Sequence, residues 1–420
     1  MNHAVLVNGS EVAMREKLEP ASTFASVLLL FVLLLSLPTR AAEPMDAAIP
    51  RIEYVVPLAH QPQENDPATI WYDDFNGPEK AYGEASGKLD DHESLGGSGK
   101  SLACYYAKGS QGEGNRKVFF GDSPSGGSKV VRKGEHFDEI YWRIYVKHQP
   151  AWTGGGEAKL SRATCLTTPN WHQAMIAHVW SGPGETLTLD PATGVRGGQI
   201  VTTRYNDFAH LHWLGNKPAS TFKFSSPAEA GWWVCVEAYA KLNTPGQKDG
   251  VNRLWIDGRL EAQRTGLDWR GSYTGHSINA LFLEAYWNHG SPVSQTRWLD
   301  NFVISTKPIG PVVCPPNPIL IKTPYRGSGK VPAWEAQLAA DAEGKQLVWK
   351  SNPIIDGNKV RVDSTTGQFV GRLAGKSELG SGMSCFCRVR ERNGDGSETL
   401  SSWSPWHQHF VVGAEAAAAR

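Results

Sequence analysis

Glu139-Ile-Tyr-Trp-Arg-Ile-Tyr-Val-Lys147 alternates residue by residue, and its reading decides the fold. Ile140, Trp142, Ile144 and Val146 recur at period two, the repeat of a strand, so they share one face. That face predicts the inner layer of a β-sandwich. Tyr141, Arg143, Tyr145 and Lys147 fall on the other face, with groups that stack on sugar rings and pair with carboxylates. This outward stripe predicts a trough for a glycan.

Similar runs recur on both sides of this one. Segments 70–75, 100–108, 174–180, 199–204, 232–242, 252–256, 278–287 and 298–306 read as strands bounded by Gly, Pro, Asn and Asp. Asp257-Gly258 predicts a two-residue hairpin turn. The chain holds 44 Gly and 26 Pro in 420 residues and few long helical periodicities, which favours an all-β fold with many turns. This strand count and spacing predict a jelly roll over residues 69–311. Ile309-Gly-Pro-Val-Val-Cys-Pro-Pro-Asn-Pro318 then breaks the pattern, because clustered prolines do not sit inside a sheet. It predicts a stiff junction to a second sandwich over residues 312–413. The Ala-rich tail 414–420 is expected to fray.

The N-terminus reads differently. An apolar run at 24–37 follows Arg15 and Lys17 and precedes Thr39-Arg-Ala-Ala42, the pattern of a signal peptide over residues 1–42. Met14 offers a second start of ordinary signal length. The body of the protein is therefore expected to be secreted or periplasmic, with no stable membrane span in the mature chain. Residues 43–68, rich in Pro and Ala, read as a linker. Basic and acidic residues balance at 42 each, so nothing demands nucleic acid or an anionic membrane surface.

Six cysteines suit an oxidising compartment, but their spacing leaves the pairing open. Cys235 reads equally well as a buried free thiol. Cys385 and Cys387, two apart on a strand, point the same way and are not expected to bond each other. No zinc-type spacing occurs, and His210 and His212 lack an evident third ligand. Neither a metal nor a cofactor is expected.

The segment 232–251, Leu254-Trp-Ile-Asp-Gly-Arg259 and Leu299-Asp-Asn-Phe-Val-Ile-Ser305 resemble the concanavalin A-like lectin/glucanase sandwiches. Within these, they are most similar to the alginate and glucuronan lyases of polysaccharide lyase family fourteen. Trp71-Tyr-Asp-Asp-Phe75 and Gly154-Gly-Gly-Glu-Ala-Lys-Leu160 fit the same resemblance. It implies that Lys159 reaches the groove, after a two-residue insertion in the loop. It also implies a Ser-x-Arg pair on the next strand and then a Tyr-x-Tyr pair. Here Met175 and Ala177 stand in the first pair's places, and Leu187-Thr-Leu189 carries no tyrosine.

Eliminative cleavage of a uronic acid polymer needs a group to neutralise the carboxylate, a base for the C5 proton and an acid for the leaving oxygen. Lys159, His178, Tyr239 and Tyr286 are the catalytic candidates. Tyr141, Arg143, Tyr145, Trp180, Glu237, Lys241, Glu284 and Asn288 are the candidates for holding an acidic polysaccharide. Retaining hydrolysis is disfavoured. The Glu-x-Asp-x-x-Glu strand of sandwich glucanases is absent, and the adjacent Asp138 and Glu139 would face opposite ways.

In the C-terminal part, Ser401-Ser-Trp-Ser-Pro-Trp406 lies downstream of Arg388-Val-Arg-Glu-Arg392. Together they resemble a fibronectin type III domain whose Trp and Arg side chains interleave, with His407 in place of the motif's final serine. Trp334 and Trp349 are expected in that domain's core. The sequence thus favours recognition of an acidic extracellular polysaccharide. A polysaccharide lyase is one alternative, and a non-catalytic adhesion or scaffold protein is another.

Overall fold

The computed structural model describes residues 49–325, 333–355, 357–392 and 401–413. The expected signal peptide (1–42), the start of the expected linker and the tail (414–420) lie outside these residues. The chain is all-β. Two large antiparallel sheets form the first sandwich. One, the groove sheet, runs in the order His212–Trp213, Leu187–Thr193, Gln173–Ser181, Lys159–Leu166, Ala280–Leu283, Arg116–Phe119, Glu84–Ala85. The other, the back sheet, runs Arg259–Leu267, Gly250–Ile256, Val234–Lys241, Glu139–His148, Gln295–Ser305, Ser101–Tyr106, Lys88–Asp90, and Thr69–Asp73 also pairs with Gln295–Ser305.

Period-two alternation accounts for the core. Ile140, Trp142, Ile144 and Val146 are buried between the sheets with Leu160, Met175, Val179, Leu189, Leu281 and Leu283. Each such side chain contributes about 1.5–3 kcal/mol on leaving water. The indole of Trp142 donates to Ser161 Oγ at 2.9 Å, so its polar edge is satisfied within the core. The hairpin at Asp257-Gly258 forms as expected. Ile256 pairs with Arg259, and both turn residues have positive φ (46° and 73°), as a type I′ turn requires.

The C-terminal part is a second sandwich. A six-stranded sheet ordered Val313–Cys314, His407–Val412, Ser384–Glu391, Trp334–Ala339, Leu347–Ser351, Gly367–Phe369 packs on a three-stranded one. The smaller sheet joins Ile319–Lys322 to Lys359–Arg361 and to Ile52–Val55. The last of these corrects the linker reading. Ile52 and Val55 are buried in the second core, and Glu53 binds the Lys147 ammonium at 2.6 Å, so this segment has an apolar face to bury. Trp334 and Trp349 lie in that core. Outside it, the Arg388 guanidinium lies 4.6 and 4.5 Å from the rings of Trp403 and Trp406, and Arg390 lies 4.4 Å from Trp403. Contacts of this kind contribute about 0.5–1 kcal/mol each at exposed sites.

The two sandwiches share an interface. Tyr145, Trp233 and Cys235, from the outer face of the back sheet, belong to the same buried cluster as Val312, Cys385 and Phe410. The Asp257 carboxylate lies 3.0 Å from His407 Nδ1. Gly258 is in close contact with the second sandwich: a Cβ there would stand 1.6 Å from Gln408 Oε1, so that side chain would have to shift. All six cysteines are buried free thiols. Among the described residues no helix is long and apolar enough to cross a membrane.

Two outcomes follow for stability. Trp233→Ala opens a cavity in the interface and should lower unfolding free energy by about 3–5 kcal/mol, read from urea denaturation. His409 is held neutral. Burial, with His407 and Arg51 adding to it, pushes its imidazole from 6.5 down to about 3. The unfolded chain therefore takes up a proton below about pH 6.5 that the folded chain refuses until far lower pH. Stability is fully present above that pH and declines in acid by up to about 1.4 kcal/mol per pH unit. In His409→Gln, the urea midpoint should vary less steeply between pH 6.5 and 4.

Candidate functional site

The stripe expected to line a sugar trough is turned toward the second sandwich. Arg143 is fully buried, donating to the Gly310 carbonyl at 2.8 Å and to Asn301 Oδ1. The Tyr145 hydroxyl accepts the Val312 N–H at 2.8 Å. Glu237 accepts the N–H groups of Ile309 and Gly310 at 2.9 and 2.8 Å. Tyr239 stacks on Tyr141, ring centroids 4.4 Å apart, and its hydroxyl bonds Glu139. Lys241 ends the same strand. What remains of the trough is a hollow of about 510 Å³ between Tyr141, Glu237, Trp255 and the junction residues 308–311. A sandwich has two outer faces, and here the chain covers this one with its own C-terminal part.

The groove sheet's outer face is the open one. A cavity of about 700 Å³ is lined by Lys159, Arg162, His178, Trp180, Asp190, Tyr205, Glu284, Tyr286 and Asn288, with Lys117, Trp213, Lys217 and Phe208 around them. Strand register explains the convergence. Arg162 pairs across the ladder with His178, and His178 with Asp190. Lys159 pairs with Trp180, and Trp180 with Thr188. Lys159 and Arg162 are three residues apart and by alternation alone would face opposite ways. A register shift between Lys159 and Ser161 inserts one extra residue, so both point into the groove while Leu160 and Ser161 face the core.

At the groove floor, Glu284 and Arg162 form a buried ion pair. Arg162 also donates to the Tyr205 hydroxyl at 2.5 Å and to Asn206 Oδ1 at 2.7 Å. His178 Nε2 stands 3.4 Å from Glu284 Oε2, and its ring stacks on Trp180 with centroids 5.1 Å apart. Burial alone would raise the Glu284 carboxyl, but Arg162, His178 and Lys159 outweigh it and hold it well below the usual carboxylate range. Burial pushes His178 down to about 4 against the pull of Glu284, so the imidazole is neutral at pH 7. Burial also lowers Lys159, whose ammonium lies 4.4 Å from the centre of the Tyr286 ring. Burial raises Tyr205, and its phenol stays protonated. At the other end Lys217 lies 3.0 Å from Asp190 Oδ2 and sits over the rings of Trp180 and Trp213. The groove thus offers a desolvated ammonium, a neutral imidazole, two phenols and aromatic faces within one cavity.

Of the residues singled out from sequence, Lys159, His178, Trp180, Glu284, Tyr286 and Asn288 line this groove, whereas Tyr141, Arg143, Tyr145, Glu237, Tyr239 and Lys241 lie on the back sheet. Sequence reasoning missed Arg162, Tyr205, Asp190, Trp213 and Lys217. Arg162 is hidden by the bulge. Tyr205 and Lys217 come from loops without periodicity. Asp190 was legible in principle, one position beyond Leu187-Thr-Leu189 and in phase with Thr188.

No protein-family model matches the chain, and no curated protein matches it. Among solved structures, an endo-β-1,4-glucuronan lyase from the fungus Trichoderma reesei is similar at 13% identity and TM-score 0.39, over 57% of this chain and 96% of that one. An alginate lyase from Chlorella virus is similar at 14% identity and TM-score 0.37, over 52% and 89%. The marine PL-14 alginate lyase from Aplysia kurodai is similar at 16% identity and TM-score 0.37, over 57% and 99%. Identities and TM-scores this low assign neither activity nor substrate to this chain.

Glu284→Ala leaves the Arg162 charge buried without its carboxylate and should cost about 3–5 kcal/mol of stability. The double replacement Arg162→Met with Glu284→Leu should recover most of that loss. Urea denaturation of the parent protein and the two variants measures both.

Proposed function

We propose that this chain is a secreted protein that binds an acidic polysaccharide in the groove of its first sandwich. The observation that carries the reading is the single cavity in which Lys159 and the aromatic rings of Trp180, Trp213 and Tyr286 converge. A sugar carboxylate reaching Lys159 meets a partly desolvated ammonium, where a charge-assisted hydrogen bond is stronger than in open water. Sugar faces pack on the indoles. The apolar run at 24–37 supports export, and the Arg388–Trp403–Trp406 stack supports a fibronectin type III-like second module.

A lyase is the second reading, favoured by the company Lys159 keeps. In β-elimination a base removes the C5 proton, the electron pair forms the C4–C5 double bond, and the C4–O bond breaks as an acid protonates the leaving oxygen. Lys159 would neutralise the carboxylate. The neutral His178 imidazole would accept the proton, and the Tyr205 phenol, its oxygen already held by Arg162, would supply the other. Tyr205 comes from a loop rather than from a Tyr-x-Tyr strand.

Gel retardation and titration calorimetry on alginate, glucuronan and heparin-type polymers test binding. Lys159→Met should lower affinity about tenfold or more, and added salt should weaken binding of the parent protein. Ultraviolet absorbance of an unsaturated product tests elimination. If no uronate polymer retards the protein, the reading fails and a scaffold role takes its place.

A further inference from the structure

The charges in the groove are mostly committed to one another. Lys117 is paired with Glu84 at the rim, Arg162 with Glu284 on the floor, and Lys217 with Asp190 at the far end. Among the described residues lining the groove, Lys159 alone is a cation with no carboxylate in ion-pair contact. The groove therefore has one free positive charge for a ligand. A polymer carrying a carboxylate on every sugar would place its other carboxylates against pairs of zero net charge.

The far end is unfavourable to a second carboxylate for a further reason. Asp190 is 1% exposed and neither of its carboxylate oxygens has a hydrogen-bond partner among the described residues, Lys217 at 3.0 Å from Oδ2 being its ion-pair contact. Like charges brought together in a partly desolvated cavity repel. The same end is aromatic. Lys217 lies over both Trp180 and Trp213, Trp213 is 39% exposed, and Phe208 at the rim is 63% exposed. Exposed rings of this kind suit the apolar face of an uncharged sugar. Two strand spacings, about 10 Å, separate the strand of Lys159 from that of Asp190, a span that two linked pyranose rings can bridge.

We propose that the groove selects a polysaccharide in which a uronate alternates with a neutral or amino sugar, one carboxylate at Lys159 and a non-carboxylate ring at Trp180, Trp213 and Asp190. This rests on the groove being the polysaccharide site. It deepens that reading by excluding homopolymeric uronans as the preferred ligand.

The test compares oligosaccharides of equal ring number by titration calorimetry at fixed ionic strength. Oligomers of alginate and glucuronan represent homouronans. Oligomers of hyaluronan and unsulfated chondroitin represent the alternating class. The alternating oligomers should bind about tenfold tighter to the parent protein. Asp190→Asn releases Lys217, and Glu84→Gln releases Lys117. Each should shift the affinity ratio about five- to tenfold toward the homouronans. Glu84 is exposed, so its replacement leaves the fold intact and keeps the test valid if Asp190→Asn is poorly soluble. Homouronans that bind as tightly as the alternating oligomers, with a ratio unmoved by Glu84→Gln, would overturn the proposal. Lys159→Met separates the two levels. If it weakens both classes, the polysaccharide site stands whatever the ratio does; if it weakens neither, that site itself is wrong.

Discussion

The Glu237 carboxylate holds two successive N–H groups of the domain junction, those of Ile309 and Gly310, and this clamp directs the rest of the molecule. Arg143 grips the Gly310 carbonyl from the neighbouring strand, and Tyr145 accepts the N–H of Val312. Three side chains of the back sheet thus fix three junction residues, Ile309, Gly310 and Val312, and the second sandwich is laid against that sheet. Its apolar cluster absorbs Tyr145, Trp233 and Cys235. Covered in this way, the face keeps only the hollow beside Tyr141 and Trp255. The larger cavity, with the convergent cations, imidazole and phenols, lies on the opposite sheet.

On that sheet, a single bulge does most of the local work. Without the extra residue between Lys159 and Arg162, one of the two cations would be driven into the apolar core, at a cost far beyond what any groove contact returns. With it, Arg162 reaches Glu284 and Tyr205, while Lys159 is left without a carboxylate. The buried pair is weak as a source of stability, because desolvation of both charges offsets their attraction. Its consequence is electrostatic: it removes one cation from what a ligand meets.

Much of the architecture was legible in the sequence. Alternation in Glu139–His148 named the core residues Ile140, Trp142, Ile144 and Val146 directly. Asp257-Gly258 named its own turn, since few dipeptides adopt positive φ at both positions. The Trp403–Trp406 and Arg388–Arg390 runs named their stack. The segment 43–68 misled because its strand is only four residues long and pairs with Ile319–Lys322, far along the chain. No local pattern announces so distant a partner.

The sequence by itself determined which side chains share a face, because a strand's period of two follows from covalent geometry alone. It could not determine what lies against that face. Arg143 and Tyr145 have the same alternation as His178 and Trp180, yet one pair is covered by the junction and the second sandwich and the other opens on a cavity. The tertiary structure decided that, along with the bulge that turned Lys159 and Arg162 the same way and the pairing that left only one of them free. The covering of the back sheet and the Arg162–Glu284 pairing depend on contacts between residues more than a hundred positions apart, where the packing of whole sheets outweighs any local preference.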